Sequence, residues 1–362
     1  MSYRSSRWLF ILIACLLFLT SLHADQVVLV AGGGTNEGNG LATEAKLQGP
    51  FGVDFDRFGN LYFVEMVGHR VGRVDAKGML TIIAGTGRKS DGGDNGPALK
   101  AEFNGMHCLT VTPDGDVFLA DTWNNRVRLI DAKTSEISAY AGTVTKGFGG
   151  DGGPAAKAQF GGVYCIAFDP KGEQMYLADL DNRRIRAIDL KTGIVRTIAG
   201  NGEKGVPEDG TLAIKAPLLD PRAVAADKKG NVYILERGGH ALRVVDANGR
   251  IRTVAGTGKA GATGDGGDAL KATFNGPKHL CIDRDGSVII ADTENHMIRR
   301  YIPETGKIVR VAGTGKKGSA GVGGPPDNVE LSQPHGVCVS PSGELYIADS
   351  SNNRILKITH GE

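Results

Sequence analysis

Six side chains in this sequence stand at one recurring position and are nearly all different. They are Phe51, His107, Tyr164, Arg222, Lys278 and His335, at intervals of 56 to 58 residues. Imidazoles can ligate zinc or move protons, a guanidinium and an ammonium can hold an anion, and a phenol can donate a hydrogen bond. His279, one residue beyond Lys278, offers a third imidazole, but an offset of one residue in a strand turns a side chain to the opposite face. Each of the six follows a Pro, or its equivalent, at the start of an apolar run. What they can do together depends on whether the chain between them brings them to one place.

That chain repeats. Six copies align on an acidic residue closing an apolar run: Glu65, Asp121, Asp179, Glu236, Asp292 and Asp349. A fixed period of this length marks a repeat architecture. Within a copy, short runs rich in β-branched residues alternate apolar and polar positions between turns of Gly, Asp and Asn, which predicts strands. The second copy gives four, at residues 108 to 111, 117 to 120, 127 to 130 and 136 to 140. Four short antiparallel strands repeated radially predict an all-β fold, the six-bladed β-propeller. The sixth copy supplies only three strands before Ile358, and residues 26 to 32 match the closing strand of the other copies, such as residues 194 to 200. The N-terminal strand is therefore expected to complete blade six. With first strands running along the axis, the six variable residues should crowd one mouth of the central channel.

The phrase Gly-x-Leu-Tyr-x-Ala-Asp-x-x-Asn-Asn-Arg-Ile at Gly343 to Ile355, and the closing Ala-Gly-Thr-Gly at Ala84, Ala255 and Ala312, resemble NHL repeats. From about Val27 to Ile358 the chain resembles bacterial six-bladed NHL propellers, with copies one and four departing most: Glu65 and Glu236 replace Asp, and Gly68 and Gly239 replace Asn. The resemblance implies the fold and leaves the activity open, since such propellers serve as enzymes, binding platforms and scaffolds. Gluconolactonase-like relatives hold an axial metal with Glu, Asn and Asp, and the six mouth positions here include no acid. Peptidyl-hydroxyglycine lyases place zinc-binding His on Pro-His phrases of alternate blades, with Tyr and Arg nearby. His107 and His335 match that pattern and Tyr164 is similar, but Arg222 stands where the third His would be. His107, Arg222, Lys278 and His335 therefore read as a mainly cationic, hydrogen-bonding mouth that binds a ligand or protein, and the resemblance implies a metal-assisted lyase or hydrolase as the alternative. For the latter, His107, His335 and His279 are the metal candidates, and a catalytic zinc needs three protein ligands.

The ends and the composition bound the setting. Arg4 and Arg7 precede an apolar run from Trp8 to Leu19, and Ala24 offers a small residue at a cleavage point, the pattern of a secretory signal peptide over residues 1–24. Cys15 sits in a sequence similar to a lipoprotein box, but the apolar run continues past it, which favours ordinary cleavage and a secreted or periplasmic domain over residues 25–362. The chain has 42 basic and 40 acidic residues. The leader holds two of the basic ones, so the remainder is balanced, which argues against nucleic acid as a partner. No later stretch is apolar enough to span a bilayer as a helix.

Other recurrent residues read as architectural. The repeated acids are expected to cap the turn that follows each of them, with Arg126, Arg184 and Arg354 as their ion-pair partners. The loops at Asp91, Asp151 and Asp265, each followed by two glycines, lack the ligand series of a calcium loop, and one short helical turn should follow each. Cys108, Cys165, Cys281 and Cys338 lie on first strands and are expected to be buried free thiols filling space. His69, Asn125, Arg183, His240, His296 and Asn353 should line the same face as the mouth, together with Trp123.

Overall fold

The computed structural model describes residues 25–359, so the expected signal peptide and Cys15 fall outside the described residues. Six antiparallel sheets follow one another along the chain, with four strands in consecutive order from the inside outward in blades one to five and three in blade six, whose fourth is the N-terminal strand. Blade one is Pro50–Phe55, Leu61–Glu65, Arg70–Val74 and Met79–Ala84. In blade two the strands are Cys108–Val111, Val117–Asp121, Arg126–Ile130 and Glu136–Ala141, within one residue of the expected bounds. Two-residue strands, Gly40–Leu41 and Gly96–Pro97, widen blades one and two on their outer edges. Second strands such as Leu61–Glu65 and Val288–Asp292 are buried along their whole length, because blades stack face to face and cover both sides. Closure is as expected: Gln26–Gly32 pairs antiparallel with Arg354–Thr359, Gln26 opposite Thr359 and Gly32 opposite Arg354.

The recurrent acid holds each blade to the segment that leads into it. All six carboxylates are fully buried. In every copy one oxygen accepts a backbone N–H from the incoming segment, 17 positions earlier in five copies, as from Gln48 to Glu65 at 2.8 Å and Ser332 to Asp349 at 2.7 Å, and 18 earlier in blade three, from Gly161 to Asp179. This corrects the expectation of a cap on the backbone of the following turn: the Asp121, Asp292 and Asp349 side chains accept no backbone N–H from the one-turn helices that follow them. The turns are tied to that same segment by their own amides, since Trp123, Glu294 and Ser351 donate N–H to the carbonyls of Asn104, Asn275 and Ser332, and the carboxylate satisfies the segment's buried N–H in return.

The second oxygen meets a guanidinium, from Arg70, Arg126, Arg186, Arg243, Arg299 or Arg354. Arg128, Arg186 and Arg299 also lie over the buried rings of Phe103, Phe160 and Phe274. Arg184 is not an acid's partner as expected: it donates to the carbonyls of Asn182 and Asn201 and stacks 3.7 Å over Phe148, while Arg186, two residues on, takes the acid. Arg186 and Arg299 further engage Asp151 and Asp265, and in the first such loop Asp94 rather than Asp91 meets Arg126 and Arg128. Carboxylates so paired have guanidinium neighbours where a calcium ion would need open oxygens. The expected helical turns appear as Ala98–Lys100, Ala155–Lys157 and Ala269–Lys271.

The departures of copies one and four have a steric cause. Where the acid is Asp, an Asn three residues on donates to its second oxygen, as Asn124, Asn182, Asn295 and Asn352 do at 2.8 to 2.9 Å. Glu is one methylene longer, and its carboxylate fills that space. A Cβ at Gly68 would stand 2.5 Å from Glu65 Oε2, and one at Gly239 equally close to Glu236 Oε2. Glu thus requires Gly, and Asp accepts Asn. Removing residues 25–34 deletes the strand that joins the chain ends. Thermal unfolding of that variant should shift down by roughly 10 °C or more, and an unchanged melting curve would refute the closure.

Candidate functional site

The six variable residues meet at one end of the channel, and they fill it. His335 stacks on Phe51 with centroids 3.9 Å apart, Phe51 meets His107 edge-on at 5.2 Å, and His107 lies 4.2 Å from Tyr164. The Arg222 guanidinium sits 4.5 Å over the Tyr164 ring. Lys278 completes the circle beside them, its ammonium 2.9 Å from Glu294. Phe51, His107 and Tyr164 are buried. Burial pushes the Tyr164 phenol up to about 12 and His107 down to about 3, and holds His335 well below the usual imidazole range. Both histidines are therefore neutral. Each turns Nδ1 toward a carbonyl, Gly105 at 2.7 Å and Gln333 at 2.9 Å, which fixes the tautomer and leaves Nε2 without a proton. Among the described residues, neither joins two further Cys, His or carboxylate groups close enough to share an ion.

Three residues of this ring were not visible as such in the sequence: Asp220, Glu294 and Gln333. Asp220 binds Arg222 at 2.9 Å, and Glu294 receives both Lys278 and the Gln333 amide at 2.9 Å. The mouth is consequently neutralised, not mainly cationic as expected from its own six positions. A signal did exist. Four copies place glycine two residues before the mouth residue, at Gly49, Gly105, Gly162 and Gly276, all with positive φ. Asp220 and Gln333 occupy the same left-handed backbone at φ 59° and 48°, a conformation that favours glycine by about 1 kcal/mol, so their side chains must be wanted there.

Beyond the ring the channel opens. A cavity of about 1090 Å³ runs from the axis to the face that carries the turns between first and second strands, opposite the mouth. Its walls are the inner strands, read in layers of two residues. One residue past the mouth ring come Gly52, Cys108, Cys165, Ala223, His279 and Gly336; two further come Asp54, Thr110, Ala167, Ala225, Cys281 and Cys338. Asp54 accepts from Thr110 Oγ1 at 3.1 Å and from the Val111 amide at 2.9 Å, and the Cys338 thiol lies 3.5 Å from it. Burial raises its carboxyl above the usual range against those donors. All four thiols are free; Cys108 and Cys165 are buried, while Cys281 and Cys338 are half-buried against the cavity. His279 points away from the mouth histidines, as its offset requires, and its Nε2 lies 3.7 Å from Cys108 Sγ. A second cavity, about 490 Å³, opens on the mouth face beside Arg222, Asp220, Arg183 and Lys204.

The rim positions act as latches between blades. Asn125 and Asn353 accept the amides of Gly162 and Gly49, and His240 and His296 accept those of Gly276 and Gln333. Arg183 has no acceptor to offer, and His69 Nδ1 is buried without a partner. Trp123 is half exposed and packs its indole onto Gly105, where a Cβ would stand 2.2 Å from the ring, and edge-on to His107.

Fold and axis together define a class, the closed six-bladed propeller with one plugged and one open channel end. Comparison with known proteins agrees. The NHL repeat family matches residues 274–301 and 331–358, and the teneurin NHL domain matches residues 191–263. The chain is a six-bladed propeller that carries NHL repeats, matched in its last two blades. It is 27% identical over 336 residues to protein SUPPRESSOR OF QUENCHING 1, chloroplastic, of Arabidopsis thaliana, covering 89% of this chain and 31% of that protein. It is 33% identical over 181 residues to human NHL repeat-containing protein 2, covering 47% of this chain and 24% of that one. The chain thus spans about a third or less of the length of these two relatives. Among solved structures, an auxiliary nutrient binding protein from Bacteroides thetaiotaomicron superposes with a TM-score of 0.67 at 15% identity, over 93% of this chain and 77% of that one. Virginiamycin B lyase from Staphylococcus aureus does so with a TM-score of 0.52 at 15% identity, over 93% and 99%. At such identities the likeness is one of fold.

The neutral mouth predicts a pH dependence. An ordinary histidine titrates near 6.5, and folded His107 near 3. Between those values the unfolded chain binds a proton that the folded one refuses. Stability from this site is fully present above 6.5 and is lost as pH falls toward 3, by up to about 1.4 kcal/mol per pH unit. In a His107→Gln variant, denaturant titrations between pH 6 and pH 4 should show a flatter slope than wild type; an unchanged slope would mean that His107 charges freely in the fold.

Proposed function

We propose that the protein is a binding propeller that takes a small molecule into its axial cavity from the face opposite the mouth ring. The observation that carries this reading is the 1090 Å³ cavity ended by a packed plug. A pocket of that size with a few convergent polar groups among apolar walls is the usual form of a ligand site. Blades three and four keep the space open with Ala167, Ala225 and Ala226, while Asp54, Thr110, His279 and the thiols supply polar atoms. Deviation from repeat symmetry is concentrated along the axis, where every blade contributes a different side chain to the same layer. The apolar leader over residues 1–24 supports a secreted or periplasmic setting for this binding. No helix among the described residues is long and apolar enough to cross a membrane.

A second reading keeps the binding of a ligand or protein on the mouth face, and the 490 Å³ cavity beside Arg222 favours it. One experiment separates the two. Purified protein is screened by thermal shift against sugars, organic acids and short peptides, and hits are repeated on Ala225→Phe and Arg222→Ala variants. The axial reading expects a stabilising hit whose shift is lost in Ala225→Phe and kept in Arg222→Ala. A shift lost only in Arg222→Ala moves the site to the mouth face.

A further inference from the structure

We propose that Cys108, Cys165 and His279 form a zinc site at the inner end of the axial cavity. Their ligand atoms lie within 4.8 Å of one another, and among the described residues they are the one such group of three. The two Sγ atoms are 3.5 Å apart without a disulfide, and Cys108 Sγ is 3.7 Å from His279 Nε2. On a tetrahedral zinc with bonds of about 2.3 Å to sulfur and 2.0 to 2.1 Å to nitrogen, two sulfurs stand about 3.8 Å apart and a sulfur and a nitrogen about 3.6 Å. Two of the three edges thus already match such a centre and the third lies within 4.8 Å, although the side chains come from blades two, three and five.

The surroundings are arranged around these three groups. The other members of their layer are Gly52, Ala223 and Gly336, and a Cβ at Gly52 would stand 2.7 Å from the Cys108 α-carbon. The two glycines let neighbouring inner strands approach closely, a Cβ at Gly336 running into the Phe51 carbonyl, and neither they nor Ala223 brings a competing polar side chain to the layer. The Ile166 amide points at Cys108 Sγ at 3.5 Å, a donor suited to a thiolate. The Val337 amide donates to His279 Nδ1 at 3.4 Å, the long end of hydrogen bonding, and metal binding through Nε2 requires that weak bond to be given up as the proton moves to Nδ1. Binding exchanges two thiol protons for one Zn²⁺. The product of two thiolates, one neutral imidazole and the dication carries no net charge, the state least penalised by burial. A monovalent ion such as Cu⁺ would leave a net negative centre.

Three protein ligands leave the fourth position free, and all three line the cavity, so that position faces its interior. A water or a ligand donor atom can complete the tetrahedron there, as at zinc sites that act on substrates. The inference stands apart from which molecule enters the cavity, because the metal alone is the probe. Protein isolated without chelator is assayed for zinc, then stripped and titrated with Co²⁺. The expected result is one metal per chain, with the strong visible bands of tetrahedral Co²⁺ and thiolate-to-metal charge transfer. Cys165→Ser and His279→Ala should each weaken binding at least ~10-fold, and Cys281→Ser, which alters a thiol of the next layer, should leave it unchanged. Should Cys165→Ser fold poorly, the half-buried His279→Ala variant keeps the test intact. Absence of the tetrahedral spectrum, equal binding in His279→Ala and wild type, or a Cys108–Cys165 disulfide in the isolated protein would overturn the assignment.

Discussion

Everything in this propeller hangs on a buried carboxylate that must bind an amide 17 or 18 residues upstream. A blade on its own is a small sheet with two apolar faces, and nothing in it specifies how far the incoming segment should reach before the first strand begins. The carboxylate sets that distance. It cannot be left without partners, because breaking a buried ion pair by removing one member costs about 3–5 kcal/mol. Hence the guanidinium stacked on phenylalanine in blades two, three and five, and the asparagine or glycine three residues on. Six copies of the constraint produce six equivalent blades, and the closing strand removes the last free edge.

With the frame fixed from outside the axis, the inner strands are free to vary. Their channel-facing side chains make no hydrogen bond to the latch carboxylates, and each layer of the channel brings together side chains separated by whole blades. Depth along the axis then separates chemistries: an aromatic and ion-paired plug at the mouth, a thiol and imidazole layer beneath it, and a layer with Asp54, Thr110 and two thiols where the cavity widens. The plug matters because it makes the channel a blind pocket instead of a pore. Its two histidines stay neutral, so the closed end carries no charge of its own into the cavity.

Much of this was legible in the chain. The period gave blade number, the alternation gave strands to within a residue in blade two, and the orphan closing sequence at residues 26 to 32 gave the ring closure. The mouth residues were legible as a set, since one register position varied while its neighbours repeated. Side-chain partners were harder. Asp220, Glu294 and Gln333 lie outside the variable position, and only the loss of glycine at a left-handed turn marks two of them. The latch was assigned to the wrong amide because the nearest turn and the segment 17 or 18 residues back are equally available to a sequence reading. The contact of Cys108 with His279 crosses the axis, and a repeat period says which blade a residue belongs to but not which opposite blade it will face.

The Glu–Gly and Asp–Asn pairing is the sharpest consequence of the latch, and a double-mutant cycle in blade one measures it. Unfolding free energies would be determined for wild type, Glu65→Asp, Gly68→Asn and the double variant. Asp alone leaves a gap, and Asn alone drives a Cβ to within 2.5 Å of the Glu65 carboxylate. Each single change should therefore destabilise, while the double variant, which reproduces blades two, three, five and six, should recover most of the loss, with a coupling energy of about 1–3 kcal/mol. Additive losses in the double variant would contradict the account, because they would mean that the acid and the residue three positions on do not share one space.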